Sequence, residues 1–165
     1  MNNIILIGMP GSGKSTLGVL LAKAMSYDFL DTDIVIQNRC KNKLFKIIEN
    51  EGIDAFLQLE NTILSDINVE NTVVATGGSA IFGAKAMENL KKGSVVVYIK
   101  LGCEELKRRI TDITTRGIVM RPGKTLEDIY EERYPLYEKY ADIIIEADNT
   151  SVEQALQMII QKLTN

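Results

Sequence analysis

Residues 8–15 read Gly-Met-Pro-Gly-Ser-Gly-Lys-Ser, in which Gly8 and Gly13 have four residues between them and Lys-Ser follows. An apolar run, residues 3–7, leads into this stretch, and a helical pattern, residues 16–23, leads out of it. A strand, a glycine loop and a helix in that order form a cradle for phosphate. The glycines let backbone N–H groups turn inward, and the helix N-terminus adds about half a positive charge of dipole. In this context Gly11, Ser12, Gly13 and Thr16 surround phosphate oxygens, Lys14 reaches the β- and γ-phosphates, and the Ser15 hydroxyl serves Mg²⁺. The motif fixes the first β-α unit of the fold and points to a bound nucleoside triphosphate.

The rest of the chain continues that unit. Apolar, β-branched runs at residues 4–7, 29–30, 73–75, 95–99 and 143–145 alternate with helical patterns. The patterns predict helices at about 14–25, 33–38, 44–49, 53–67, 82–91, 103–113, 125–139 and 151–163. The longer runs are continuously apolar, as in parallel strands covered on both faces. Thr125 with Asp128, and Ser151 with Gln154, have the spacing of capping boxes. The expectation is an α/β sandwich whose ligands bind beyond the carboxyl ends of the strands. With 165 residues the chain reads as one domain with one core.

Composition narrows the chemistry. The net charge is −3, which argues against a nucleic-acid partner, and no apolar run approaches the length of a membrane span. Cys40 and Cys103 lack metal-site spacing and read as free thiols of a cytoplasmic protein. There is no histidine, so acid–base work falls to carboxylates, lysine or water.

Three further constellations carry polar groups to the same edge of the sheet. Asp31-Thr32-Asp33 ends the second strand; its carboxylates suit a Mg²⁺ ion and a substrate hydroxyl, or the cap of the next helix. Thr76-Gly77-Gly78-Ser79 follows the third strand and permits close approach of a ligand to the backbone. Residues 114–124 hold two glycines, a proline and three cations between two helices, a candidate lid carrying Arg116 and Arg121. Arg133 sits in Glu131-Glu132-Arg133-Tyr134-Pro135-Leu136-Tyr137, where it could also pair with its glutamates.

Taken together, GMPGSGKST (8–16), FLDTD (29–33), TGGS (76–79), VYIKLGCEELKRR (97–109), the lid arginine and ERYPLYEKYAD (132–142) resemble the shikimate kinase family, collinearly and over nearly the whole chain. The resemblance implies a P-loop kinase fold with a five-stranded parallel sheet ordered 2-3-1-4-5, substrate-binding helices at about 33–67 and the lid at about 114–124. It implies ATP, Mg²⁺ and transfer of the γ-phosphate to the 3-hydroxyl of shikimate, in a monomer or weak dimer. By position it makes Lys14, Asp33 and Arg116 catalytic and gives Ser15 and Asp31 to the metal. It places Asp33, Gly77, Gly78 and Arg133 on the acceptor, and Arg109, Arg116 and the Asp148-Asn149-Thr150 loop beside the nucleotide.

Three departures from the family pattern stand out. Leu57 stands where the family has an arginine in Phe-Arg-x-x-Glu, Ser79 stands for the third glycine of the substrate loop, and Gly117-Ile118-Val119 replaces Pro-Leu-Leu after the lid arginine. All three fall on the acceptor or lid side. They leave open a kinase of another small hydroxy compound, a gluconate-like sugar acid or hydroxy amino acid, or a non-catalytic nucleotide-binding module.

Overall fold

The computed structural model describes residues 3–110 and 117–165. Among the described residues the five apolar runs become strands: β1 (Asn3–Ile7), β2 (Asp28–Asp31), β3 (Thr72–Ala75), β4 (Ser94–Lys100) and β5 (Ile143–Glu146). They form a sheet ordered β2-β3-β1-β4-β5 in which every neighbouring pair is parallel. The expected architecture and strand order are both borne out. β1 is buried at all five positions, which accounts for its uninterrupted apolar sequence. Its one polar residue, Asn3, is satisfied by its neighbours: Nδ2 donates to Val69 O at 2.8 Å and Oδ1 accepts from Thr72 N at 3.1 Å.

The helices are α1 (Lys14–Met25), α2 (Thr32–Cys40), α3 (Leu44–Glu51), α4 (Ile53–Ser65), α5 (Ala84–Lys91), α6 (Cys103–Arg109), α7 (Leu126–Tyr140) and α8 (Val152–Thr164). Both expected capping boxes are present, at Thr125/Asp128 for α7 and Ser151/Gln154 for α8. Among the described residues no helix is long and apolar enough to cross a membrane.

Two predicted helices differ from those observed. The one expected at 82–91 is divided: a 3₁₀ turn at Ala80–Phe82 comes first, and α5 begins after Gly83. Gly83 has no side chain with which to cap the helix. Asn61 of α4 supplies the cap, its Oδ1 accepting from Ala86 N at 3.0 Å. In return, Asn89 of α5 donates to Leu64 O and Ile67 O at the end of α4. The helix expected at 103–113 stops at Arg109, where Ile110 takes extended backbone and buries its side chain in the core. Residues 111–113 lie outside the described residues.

This topology brings the loops after β1, β2 and β3 to one edge of the sheet, the arrangement in which parallel α/β sheets bind ligands.

Candidate active site

The loop between β1 and α1 is shaped by three glycines with positive φ: Gly8 at 149°, Gly11 at 80° and Gly13 at 90°. A Cβ on Gly8 would lie 2.7 Å from Ile99 O, so the loop can lie this close to β4 only with glycine there. Gly13 is the N-cap of α1 and offers no side-chain cap. The amides of the first turn therefore have no partner within the helix and can receive an anion. Lys14 is buried beside them, 7% exposed. Its ammonium donates to Gly8 O at 2.8 Å, Met9 O at 2.9 Å and Ser12 Oγ at 3.4 Å. Burial lowers its pKa to about 8, against the opposing pull of Asp33 and Asp31.

Asp31 is both the last residue of β2 and the N-cap of α2. Its Oδ1 accepts from Asp33 N at 2.9 Å, and its Oδ2 accepts from Ser15 Oγ at 2.7 Å. The capping reading of this carboxylate is borne out, and its other oxygen is engaged by the Ser15 hydroxyl. A hydroxyl and a carboxylate side by side at an anion-binding helix terminus fit Mg²⁺, a hard cation that takes few protein oxygens and completes its shell with phosphates and water. Among the described residues no group of three or more His, Cys, Asp or Glu side chains is placed to hold a metal ion.

Beyond Lys14 the loops enclose a cavity of about 330 Å³. Lys14, Ser15, Asp33, Gly77, Gly78 and Arg133 all line it, so residues far apart in sequence meet at one site. Leu44, Phe56, Ile118 and Val119 form its apolar walls. The Asp33 pKa is raised to about 6, first by burial and then by the Asp31 charge, with Lys14 opposing. A carboxylate ionised just below neutral pH is suited to accept a proton from a hydroxyl.

Arg133, in α7, is 2% exposed. Its Nη2 donates to Val119 O, and its guanidinium lies over the Phe82 ring, 5.4 Å from the centroid. Among the described residues its Nε and Nη1 have no hydrogen-bond partner. A buried guanidinium with two open donors has the chemistry to receive an anionic group. Among the described residues it forms no ion pair with its own glutamates, Glu131 and Glu132, which are both exposed.

Sequence reasoning left one buried acid without a role. Glu60 of α4 is 2% exposed and shares its helix face with Phe56, Ile63 and Leu64. A glutamate at helical spacing within an apolar stripe was the signal that could have found it. Its Oε2 accepts from Ser79 Oγ at 2.6 Å, and burial raises its pKa to about 7.

The remaining candidates are more dispersed. Arg109 lines a second cleft of about 190 Å³ with Ser12, Gly13 and Thr16, and its Nε donates to Glu105 Oε1 at 2.9 Å. Asn149 has positive φ, 55°, and is exposed; Ala147, Thr150 and Ser151 of the same loop line that cleft instead. Arg121 is exposed and donates to Asp54 Oδ1 of α4 at 2.7 Å, outside the main cavity. Leu57 is half-buried against the core and does not line the cavity. Arg116 lies outside the described residues.

These features can be set against known proteins. The family model described as "Shikimate kinase" matches residues 10–164. The shikimate kinase of Nitrosospira multiformis is 34% identical over 165 residues, 98% of this chain and 85% of that protein. The chain belongs to the shikimate kinase family. Among solved structures, the shikimate kinase from Acinetobacter baumannii in complex with shikimate superposes with a TM-score of 0.89 at 31% identity, covering 99% of this chain and 93% of the other. That from Aquifex aeolicus gives 0.82 at 31% identity, covering 98% and 96%. Membership carries ATP as phosphoryl donor and a hydroxyl group as acceptor. The shikimate kinase fold therefore extends over the acceptor half of this chain, including the positions where its sequence departs.

Proposed function

We propose that this chain transfers the γ-phosphoryl group of ATP to the 3-hydroxyl of shikimate. The observation that carries this reading is the single cavity lined by Lys14, Asp33 and Arg133: a phosphate ligand, a proton acceptor and an anion receptor. We assign the triphosphate to the loop from Gly11 to Thr16 and the adenine to the cleft beside Arg109. The acceptor's carboxylate belongs on the open donors of Arg133, its ring against Phe56 and Ile118, and its reacting hydroxyl on Asp33.

Asp33 orients the hydroxyl and receives its proton as the new oxygen–phosphorus bond forms. The bond between γ-phosphorus and the β,γ-bridging oxygen breaks, and ADP leaves. Lys14 offsets charge on the transferred group and the bridging oxygen. Ser15 and, through water, Asp31 would hold Mg²⁺, which supplies charge neutralisation of the phosphates. Arg116 is assigned a second neutralising role by family resemblance alone. We take residues 1–165 as one kinase domain, with acceptor helices at about 33–67 and a lid at about 114–124. Two free thiols accord with a cytoplasmic enzyme, for which we infer a monomer or weak dimer.

The test is ADP release from Mg·ATP with shikimate, the product assayed as shikimate 3-phosphate. Absence of turnover at millimolar shikimate would remove the reading. Turnover of a neutral polyol instead would favour a different small-alcohol kinase.

A further inference from the structure

The Thr76–Ser79 loop is tied to a different element at each of its four residues. Thr76 Oγ1 donates to Leu6 O of β1 at 2.9 Å, and Gly77 N donates to Thr32 Oγ1 of α2 at 3.2 Å. Gly78 O accepts from Tyr137 Oη of α7 at 2.6 Å, and Ser79 Oγ donates to Glu60 Oε2 of α4 at 2.6 Å. Three of these ties use the backbone of the turn or of β1. The fourth joins two side chains, Ser79 and Glu60, which are 5% and 2% exposed.

The turn held this way has charged groups pressed against both its glycines. A Cβ on Gly77 would lie 2.6 Å from Asp33 Oδ1 and 3.2 Å from Glu60 Oε1. A Cβ on Gly78 would lie 3.2 Å from Arg133 Nη1. The turn therefore sets the spacing between the group assigned to the acceptor's hydroxyl and the group assigned to its carboxylate. We propose that Ser79 and Glu60 are positioning residues for the acceptor: their hydrogen bond fixes the Gly77-Gly78 turn and, through it, the separation of Asp33 and Arg133.

Among the described residues Ser79 is the one hydrogen-bond partner of the Glu60 carboxylate. Asp33 from α2 and Arg133 and Tyr137 from α7 are the titratable groups that act on it, and Oε1 has no partner among the described residues. The helices packed on α4 turn apolar residues toward it: Leu44 and Ile47 from α3, and Ala86 and Met87 from α5. Charged Lys46, Glu49, Lys85 and Glu88 on those helices are exposed. Without the Ser79 hydroxyl, the buried carboxylate has no fixed orientation.

This inference rests on the acceptor reading above, and its test separates the two. Shikimate and Mg·ATP affinities are measured by calorimetry, and Michaelis constants for both by steady-state assay, for the wild type and four variants. Ser79→Ala is expected to weaken shikimate about tenfold while Mg·ATP affinity stays within about twofold. Glu60→Gln keeps an acceptor for the Ser79 hydroxyl and is expected to stay within about threefold of wild type for shikimate. Adding Ser79→Ala to Glu60→Leu should cost nothing beyond Glu60→Leu alone, because the bond is already gone. Equal losses for both ligands in Ser79→Ala, an unchanged shikimate affinity, or full additivity with Glu60→Leu would overturn the positioning role. A wild-type protein that binds shikimate without turning it over would overturn the kinase reading alone. One that does not bind shikimate overturns both.

Discussion

The two halves of the cleft are built in opposite ways. The phosphate side is a single stretch, residues 8–16, whose backbone amides, helix dipole and one lysine do the recognition. The acceptor side is assembled from side chains on α2, α4 and α7 and the loop after β3, joined by bonds that span 19 residues (Ser79–Glu60) to 59 (Tyr137–Gly78). Backbone recognition tolerates change elsewhere in the chain, because its geometry is set locally by glycine φ angles. Side-chain recognition can be altered one residue at a time. All the departures from the family pattern, at Leu57, Ser79 and 117–119, fall on the assembled side or the lid, and none on the local one.

That contrast can be broken at the phosphate loop first. Lys14→Ala should lower kcat by about a thousandfold or more while shikimate still binds, as read by calorimetry. Loss of shikimate binding as well would show that the halves are not independent. Next in size is Arg133→Ala, expected to raise the shikimate KM by about ten- to a hundredfold and to leave the ATP KM within about twofold. A parallel rise in both constants would place Arg133 on the donor side.

Acidity sharpens the comparison further. Asp33 must be ionised to accept a proton, and its pKa is raised to about 6. Activity should therefore fall about tenfold for each pH unit below that value, and a profile flat down to pH 5 would remove the proton-acceptor role. Stability runs the other way. A carboxyl whose pKa is higher in the folded protein than in the unfolded chain stabilises the fold while protonated. Asp33 and Glu60 together should make Tm decline as pH rises from about 4 toward 7, and Glu60→Gln should flatten that decline. The smallest effect belongs to Arg121→Ala, which removes an exposed ion pair with Asp54 and should leave both Michaelis constants within about twofold.

How much of this was legible in the sequence follows the same division. The helix at 14–25 was predicted with its observed bounds, and both capping boxes formed, because motif, cap and apolar period all lie within a few residues. The sheet order came from family resemblance, since local pattern does not encode which strands pair. The start of α5 was missed because its cap is Asn61, a side chain from another helix. Leu57 and Ser79 were visible as departures. The Ser79–Glu60 bond was not, because nothing in either local stretch announces a partner 19 residues away. The resemblance places the Asp148-Asn149-Thr150 loop beside the nucleotide; Thr150 lines the second cleft and Asn149 itself is exposed.

The absence of histidine has a practical consequence once the buried carboxylates are in view. In most enzymes an inflection between pH 5 and 7 is ambiguous, because imidazoles titrate there whether or not they touch the chemistry. This molecule carries no imidazole background, and among the described residues its acids displaced into that window, Asp33 and Glu60, flank the same glycine. A proton-uptake curve in that window, recorded with and without acceptor, therefore reads out the wall of the acceptor pocket directly, without isotopic labelling or a reporter group.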